Sequence, residues 1–331
     1  MQLFKDMVSF AQDYPNISDL HLHTMTVPEP GHHLRLRAAL ATWSHLTKVV
    51  LYVFYDPQLL CQLARCSLLA EVSVFFIHMP QQDIQYPSPV VCSSGFRSLQ
   101  CLSLGGLSLG DTAAIVSSWS MRKLRAVHVS CLPAPPTMRE LRCLLQCIHD
   151  HCAPITLRKV DIRGHSDLPD FSLTVDDLLP LASFTRLTQV RVEATEYAEI
   201  ASWWPELEEF SVNTESINDE HDWEGEQTPA TLKSLNTFTQ YCPRLKVLSL
   251  PLTVTEVPAL AFDARRRDHP LTRLDVGDSP ICVSAEDTVR FLRNLFPNLS
   301  TVAFYGASPS EYIDDEWNGT WASVHQLIHA P

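Results

Sequence analysis

The sequence is poor in glycine, in positive charge and in long apolar runs. Only 10 of its 331 residues are glycine, which disfavours the glycine-rich loops that bind phosphate groups. Lys and Arg number 25 against 38 Asp and Glu, for a formal net charge of −13. So acidic a chain repels phosphate backbones, and we expect neither nucleic acid nor a membrane surface as a partner. No stretch approaches the roughly 18 apolar residues that a membrane-spanning helix needs.

Motifs for catalysis and for targeting are also missing. The sequence has no G-x-S-x-G, no H-E-x-x-H, no phosphate loop and no G-x-G-x-x-G, so we predict neither an enzyme active site nor a cofactor. The first 14 residues lack the apolar core of a secretory signal. We therefore expect a cytoplasmic or nuclear protein, and we expect its ten cysteines to be reduced thiols.

What the sequence does contain is a repeated motif of apolar residues at its first, fourth and sixth positions. The motif begins eleven times along the chain, at Ile17, Leu46, Leu69, Leu99, Leu124, Leu157, Leu187, Leu207, Leu245, Leu271 and Leu299. Ten steps separate the first from the last, so the average repeat is about 28 residues long. With 45% hydrophobic residues, the chain has enough apolar side chains for a continuous core.

Each repeat predicts one strand and one helix. The last two apolar positions of the motif are two residues apart, which places them on the same face of a short strand. Between motifs the apolar residues recur at helical spacing, as at Leu141, Leu144, Leu145 and Ile148. The pattern predicts an α/β leucine-rich-repeat solenoid, with a curved parallel sheet and helices on its outer side. The alternative, a doubly wound α/β sheet, rarely repeats one motif eleven times.

A proline before the motif strengthens this interpretation. Four repeats place an apolar residue and a proline directly ahead of it, in Tyr14-Pro15-Asn16-Ile17, Trp204-Pro205-Glu206-Leu207, Cys242-Pro243-Arg244-Leu245 and Phe296-Pro297-Asn298-Leu299. The proline ends the preceding helix, and we expect the residue before it to close the core. The form C-P-x-L-x-x-L-x-L resembles the repeats of F-box/leucine-rich-repeat proteins, especially the divergent fungal, ribonuclease-inhibitor-like sets, over residues 1–305.

The resemblance implies a protein-interaction function. In that family the repeats hold a substrate while an F-box docks on the scaffold of an SCF ubiquitin ligase. Here the first motif already begins at Ile17, so residues 1–14 fit one helix and we expect the F-box itself to be absent from this chain. The alternatives are a ubiquitin-independent scaffold or receptor-type binding protein, and a GTPase-activating repeat protein. No motif nominates the arginine or asparagine that the last would need.

The repeat array needs closed ends, because its terminal repeats would otherwise expose core. We expect a capping helix in residues 1–15, a repeat domain in 16–305 and a capping segment in 306–331 that includes Trp317 and Trp321. Long steps indicate insertions at residues 80–95, 164–175 and 213–231. The last is acidic, and we interpret it as a solvated loop, with recruitment of a basic partner as the alternative.

The nearest approach to a metal site is a row of potential ligands at helical spacing, Cys143, Cys147 and His151. Zinc accepts such ligands, but structural zinc sites usually draw them from two segments. Because the row lies within the helix of a regular repeat, we predict no metal here.

The candidate binding site lies on the concave face of the predicted sheet. In each strand the residues flanking the last two apolar positions face away from the core, and stacking aligns them in three columns. The partner-binding candidates in these columns are Tyr52, Phe75, Lys159, Asp161, Arg163, Arg191 and Glu193. Tyr52 and Phe75 suggest an aromatic anchor, and the basic residues suggest a site for an acidic or phosphorylated segment of a protein partner. The alternative is that these charges only solvate the sheet and pair with one another. We expect the protein itself to be a monomer.

Overall fold

The computed structural model describes residues 7–23, 32–54, 56–77, 95–119, 123–131, 137–163, 175–191, 197–211, 230–259, 268–277, 279–304 and 316–329. The chain divides into two compact units, Met1–His165 and Ser166–Pro331.

The first unit alternates strands and helices. Its strands are β1 (Asp19–His23), β2 (Lys48–Phe54), β3 (Glu71–Ile77), β4 (Cys101–Leu107), β5 (Ala126–Cys131) and β6 (Lys159–Arg163), and its helices are α1 (Met7–Asp13), α2 (His32–Thr42), α3 (Pro57–Ala64), α4 (Leu109–Ser118) and α5 (Met138–His151). Every strand pairs in parallel with the next one along the chain. This chain-order pairing is that of a repeat array and differs from the crossed order of a doubly wound sheet.

The register of the first unit aligns equivalent residues of successive repeats. One column runs through Asp19, Lys48, Glu71, Cys101, Ala126 and Lys159, and a second through His21, Val50, Ser73, Ser103, His128 and Asp161. A third runs through His23, Tyr52, Phe75, Gly105, Ser130 and Arg163. Most of the residues between them, such as Val49 and Leu51, are buried, whereas Leu22 and Ile162 are partly exposed. The burial alternates with period two, as expected of strands that pack one face on helices.

A backbone ladder fixes this register at the start of each strand. The carbonyl of Ser18 accepts hydrogen bonds from the N–H groups of Thr47 and Lys48, at 2.8 and 3.1 Å. The carbonyl of Thr47 accepts in the same way from Ala70 and Glu71, at 2.8 and 3.0 Å. Ala70, Gln100 and Arg125 repeat the arrangement toward their own following strands. In addition to the pairing of the strands, each repeat is therefore bonded to the next one by the carbonyl that precedes its strand.

The helices begin at side-chain caps. On α5, Thr137 and Glu140 form a reciprocal capping box, in which each side chain bonds to the other residue's backbone N–H. On α4 the hydroxyl of Ser108 accepts from the N–H of Asp111 at 3.0 Å. Behind these caps the apolar residues at helical spacing, including Leu144 and Ile148, are fully buried.

The second unit repeats the same scheme with shorter strands. Its strands are β7 (Gln189–Arg191), β8 (Glu209–Ser211), β9 (Val247–Ser249), β10 (Arg273–Asp275) and β11 (Thr301–Ala303), and its helices are α6 (Val175–Ala182), α7 (Tyr197–Trp203), α8 (Leu232–Tyr241), α9 (Ala285–Leu295) and α10 (Glu316–His329). The strands again pair in parallel and in chain order. Strands begin two residues after all eleven predicted motif starts, and the predicted leucine-rich-repeat solenoid class is confirmed.

The residue before the motif proline closes the core in three of the four cases. Trp204, Cys242 and Phe296 are fully buried. The indole N–H of Trp204 donates to the carbonyl of Leu181 at 3.2 Å, which links its repeat to the preceding one. Tyr14 differs, since it is 58% exposed and packs on Phe10 of α1 instead.

The capping segments expected at the two ends of the chain stay a prediction. Helix α1 begins at Met7, and residues 1–6 lie outside the described part of the chain. Helix α10 buries Trp321, whose indole N–H donates to the carbonyl of Ser279 at 2.7 Å. The described residues do not include the side chain of Trp317 or most of the three insertions, among them residues 213–229 of the acidic one.

Two further observations concern the cysteines and the helices. Cys61 is disulfide-bonded, so the expectation that all ten thiols are reduced is wrong, although no paired spacing in the sequence indicated it. Its partner lies outside what the structure describes. Seven other cysteines, in the described part of the chain, are free. Among the helices of the described ranges, none has the length and apolar character needed to cross a bilayer.

Candidate functional site: the open face of the first unit

The three columns of the first unit form one surface, which we call the open face. It is the side of the sheet opposite to the buried Val and Leu side chains of β1–β6. Five of the seven predicted binding residues have their side chains here, namely Tyr52, Phe75, Lys159, Asp161 and Arg163. Arg191 lies at the end of β7 in the second unit, and its side chain and Glu193 fall outside the described residues.

An aromatic row occupies the third column at its first three strands, formed by His23, Tyr52 and Phe75. The ring of Tyr52 stacks on that of His23 with centroids 4.0 Å apart and an interplanar angle of 20°. On its other side it stacks on Phe75 at 4.7 Å and 12°. Because the register places the three side chains on neighbouring strands, the rings form one continuous stack across the sheet. Both Tyr52 and Phe75 remain partly exposed.

Gly105 continues the column where the aromatic row stops. A β-carbon built on Gly105 would lie 2.4 Å from Cδ1 of Phe75 and 3.1 Å from its Cε1. The ring of Phe75 therefore leans over the glycine and away from its own strand. Any larger residue at this position would displace the ring.

A charged cluster closes the other side of the open face, formed by His128, Asp161 and Arg163. The guanidinium of Arg163 donates from Nη2 to Oδ2 of Asp161 at 2.8 Å and from Nε to Oδ1 at 3.0 Å. Nδ1 of His128 lies 3.4 Å from Oδ2 of the same carboxylate. The carboxylate is only 5% exposed, whereas the Arg163 side chain is 58% exposed.

This cluster changes the interpretation of the basic residues that the sequence analysis placed in the candidate site. The sequence suggested that Arg163 presents a positive charge to a partner, with Asp161 as an exposed neighbour. In the structure Asp161 is buried beneath its two partners, and its charge is set directly against the guanidinium. The forked geometry is that of a strong charge-assisted pair, so the cluster as a whole carries less positive charge than Arg163 alone.

The first column carries a second ion pair, between Lys48 and Glu71. Their Nζ and Oε2 atoms lie 2.8 Å apart, and both side chains are nearly half exposed. The hydrogen bond and the charge of Glu71 raise the pKa of Lys48 above its usual value. Lys159, at the far end of the column, is exposed.

The row on α5 that the sequence offered as a metal site is a helix surface. Cys143 is exposed and Cys147 partly so. Burial, followed by the proximity of Cys143, raises the pKa of Cys147 to about 11, which keeps it a neutral thiol rather than a thiolate ligand. The described part of the chain contains no group of three His, Cys, Asp or Glu residues placed to hold a metal ion.

Comparison with known proteins identifies the fold. One chain of the yeast Rad7 and Elc1 complex aligns with a TM-score of 0.50 and 17% identity, over 90% of this chain and 72% of that one. The chain has a leucine-rich-repeat fold. An internalin, InlF of Listeria monocytogenes, aligns with a TM-score of 0.44 and 15% identity, over 91% and 81% of the two chains. A leucine-rich-repeat protein of Leptospira interrogans aligns with a TM-score of 0.23 and 13% identity, over 89% of this chain and 98% of that one. No protein-family model and no curated protein sequence matches the chain.

Sequence reasoning missed three residues of the open face. These are His23, which stacks on Tyr52, Gly105, which lies beneath Phe75, and His128, which lies beside Asp161. The column alignment contained the signal for His128, because it places an imidazole beside the carboxylate of Asp161 on the next strand. Nothing comparable in the sequence indicated that Phe75 leans over Gly105.

Proposed function

We propose that the chain is a protein-interaction module whose partner binds the open face of the first unit. The observation that carries the proposal is the aromatic row, with Tyr52 and Phe75 stacked at 4.7 Å and partly exposed on a sheet face. Stacked rings lose little conformational entropy on binding, and aromatic residues are enriched among the anchors of protein interfaces.

The charges around the row supply orientation more than affinity. Lys48 and Glu71 pair with each other, and Arg163 pairs with Asp161. Rim charges of this kind select partners and steer encounter, while adding little net binding energy. We therefore assign the anchoring role to the aromatic row. An acidic or phosphorylated partner segment held by Arg163 becomes an alternative outcome of the experiments.

A finer proposal is that the module recruits substrates to an SCF-type ubiquitin ligase. The proline-led repeats that resemble the F-box/leucine-rich-repeat family support it. The fold is also shared with a chain of the yeast Rad7 and Elc1 complex. If the proposal holds, proteins that bind the open face should lose ubiquitin and accumulate when the chain is depleted from its own cells. Unchanged abundance and ubiquitination of the bound proteins would leave a scaffold without a ubiquitin link.

The binding site is tested by removing the aromatic row and leaving the sheet intact. In Tyr52→Ala with Phe75→Ala, partners captured by the wild-type chain and identified by mass spectrometry should be lost. The matched control is Phe10→Ala with Tyr14→Ala, because that pair also has ring centroids 4.7 Å apart and is exposed, but lies at helix α1. The control should keep every partner. Retention of all partners by a folded Tyr52/Phe75 variant would refute the open face as the site.

A further inference from the structure

Between the aromatic row and the charged cluster, the open face has a low floor of small side chains. Along the third column, Phe75 is followed by Gly105, Ser130 and Arg163 on successive strands. Ser103 lies beside them in the second column. Three strand spacings separate Phe75 on β3 from Arg163 on β6, about 14 Å in all. Since Phe75 leans over Gly105, the rest of the floor is formed by Ser130 and Ser103, which are both partly exposed.

One wall of this floor is an aromatic face. Phe75 uses one side of its ring to stack on Tyr52. The stack runs across the strands, so the opposite side of the ring faces β5 and the floor. The remaining width, about two strand spacings or roughly 10 Å, accommodates one planar ring in contact with Phe75 and its polar tip.

The other wall offers a hydrogen-bond acceptor. Nδ1 of His128 lies 3.4 Å from the Asp161 carboxylate, which has only acceptors, so the shared proton belongs on Nδ1. In the tautomer with its proton on Nδ1, an imidazole has its lone pair on Nε2. No described residue forms a hydrogen bond with Nε2, and the His128 side chain is 37% exposed.

We infer that this floor receives a tyrosine side chain of the partner, with its ring against Phe75 and its phenol hydroxyl donating to Nε2 of His128. The inference rests on the proposed function, since it names the chemistry that the same open face selects. A phenylalanine would fill the aromatic side and leave the imidazole acceptor without a donor. A carboxylate or phosphate would approach Asp161, whose charge already occupies Arg163 through two hydrogen bonds within 3.0 Å.

The inference is tested with small probes on the full chain. Titrations followed by NMR would compare N-acetyl-tyrosinamide, N-acetyl-phenylalaninamide and the O-phosphorylated form of the tyrosine probe. The wild-type chain should bind the tyrosine probe about tenfold more tightly than the phenylalanine probe, the factor expected for one hydrogen bond at a partly shielded site. The phosphorylated probe should bind no better than the tyrosine probe.

Two variants test the contributions of His128 and Phe75 separately. His128→Phe keeps a ring and removes the acceptor, so the tyrosine and phenylalanine probes should bind equally. Phe75→Leu should weaken both probes by a similar factor and keep their ratio. If His128→Phe does not fold, His128→Ala also removes the acceptor and provides the same comparison with a smaller side chain.

Equal binding of the two neutral probes to the wild-type chain, or an unchanged ratio in the folded His128 variant, would overturn the inference. Tighter binding of the phosphorylated probe would assign the floor to an anion instead, and the lack of saturable binding by every probe would also reject it. These failures are distinct from failure of the proposed function. A partner that is lost only with Tyr52→Ala and Phe75→Ala would still establish the open face as the site.

Discussion

The ring of Phe75 covers Gly105 on the neighbouring strand, at a distance that leaves no room for a methyl group. A β-carbon on Gly105 would stand 2.4 Å from Cδ1 of Phe75. The glycine is thus a condition for the aromatic row, because the Phe75 ring holds its place against Tyr52 only while that space stays empty.

Gly105→Ala should therefore disturb the aromatic row without unfolding the sheet. The new methyl group forces Phe75 to rotate, at a cost of about 1–3 kcal/mol in unfolding free energy. We expect a lower melting temperature, unchanged far-ultraviolet circular dichroism and loss of the partners bound by the open face. Gly319→Ala on α10 is the matched control, since a β-carbon there meets no atom within 4 Å. An alanine at Gly105 that keeps both stability and partners would show that the ring does not need this space.

The pairing of Arg163 with Asp161 predicts strong energetic coupling. Removing the guanidinium leaves a carboxylate that is only 5% exposed without its main partner. We expect Arg163→Ala to destabilise the chain by about 1–3 kcal/mol. The double variant with Asp161→Asn should cost less than the sum of the single changes.

The control for this cycle is the Lys48–Glu71 pair, whose members are both nearly half exposed. Exposed ion pairs contribute little, so Lys48→Ala and Glu71→Ala should be additive. Denaturant unfolding of the four variants of each cycle measures both couplings. Additivity at Arg163 and Asp161 would mean that solvent screens the cluster as it screens the surface pair.

The register predicts opposite results for adjacent residues of β4. Leu102 is 1% exposed, and Leu102→Asp buries an unpaired charge in the core, which should prevent folding or cost more than about 4 kcal/mol. Ser103 is its neighbour on the open face, and Ser103→Asp should remain folded with a change within about 1 kcal/mol. Circular dichroism and thermal melting distinguish the two. If both variants melt alike, the assignment of the faces is wrong.

The buried thiol of Cys242 predicts a loss of stability at alkaline pH. Burial raises its pKa from 9.0 to about 12. The unfolded thiol ionises near pH 9, so this contribution is complete below pH 9 and is lost as the pH rises toward 12. The loss is at most about 1.4 kcal/mol per pH unit.

Unfolding free energies at pH 8 and pH 10.5 for the wild type and Cys242→Ala measure this contribution. The advantage of the wild type over the variant should shrink at the higher pH. Leu235→Ala, which shortens a fully buried side chain that cannot ionise, serves as the control, and its effect on stability should be the same at both pH values. A wild-type advantage that is the same at both pH values would contradict burial of the neutral thiol.

The fold was predictable because it depends on local spacing. Two apolar residues two apart, such as Leu102 and Leu104, can share a face only in a strand, and the period of the motif dictates a stacked array. The same logic placed Trp204, Cys242 and Phe296 in the core. It failed at Tyr14, which is 58% exposed and packs on Phe10 of α1, and at the disulfide of Cys61, whose pairing depends on distance in space.

The site was predictable only as a set of columns. Sequence spacing places Asp161 and Arg163 on the same face, but it does not show that the guanidinium folds back and leaves the carboxylate 5% exposed. Rotamers decide that contact, and they depend on what the neighbouring strands leave open. The position of the Phe75 ring over Gly105, 30 residues further along the chain, also depends on its rotamer.

The carbonyl ladder that links each repeat to the next has a consequence for how the open face can change in evolution. Ser18 holds the strand that follows it through two N–H groups, and no bond of this ladder reaches beyond the adjacent repeat. Whole repeats can then be duplicated or deleted while the strands on either side keep their register. Each such event shifts Phe75 and His128 apart or together by one strand width, about 4.8 Å. The number of repeats between Phe75 and His128 thereby sets the length of the partner side chain that fits between them, and a change of ligand requires no new fold.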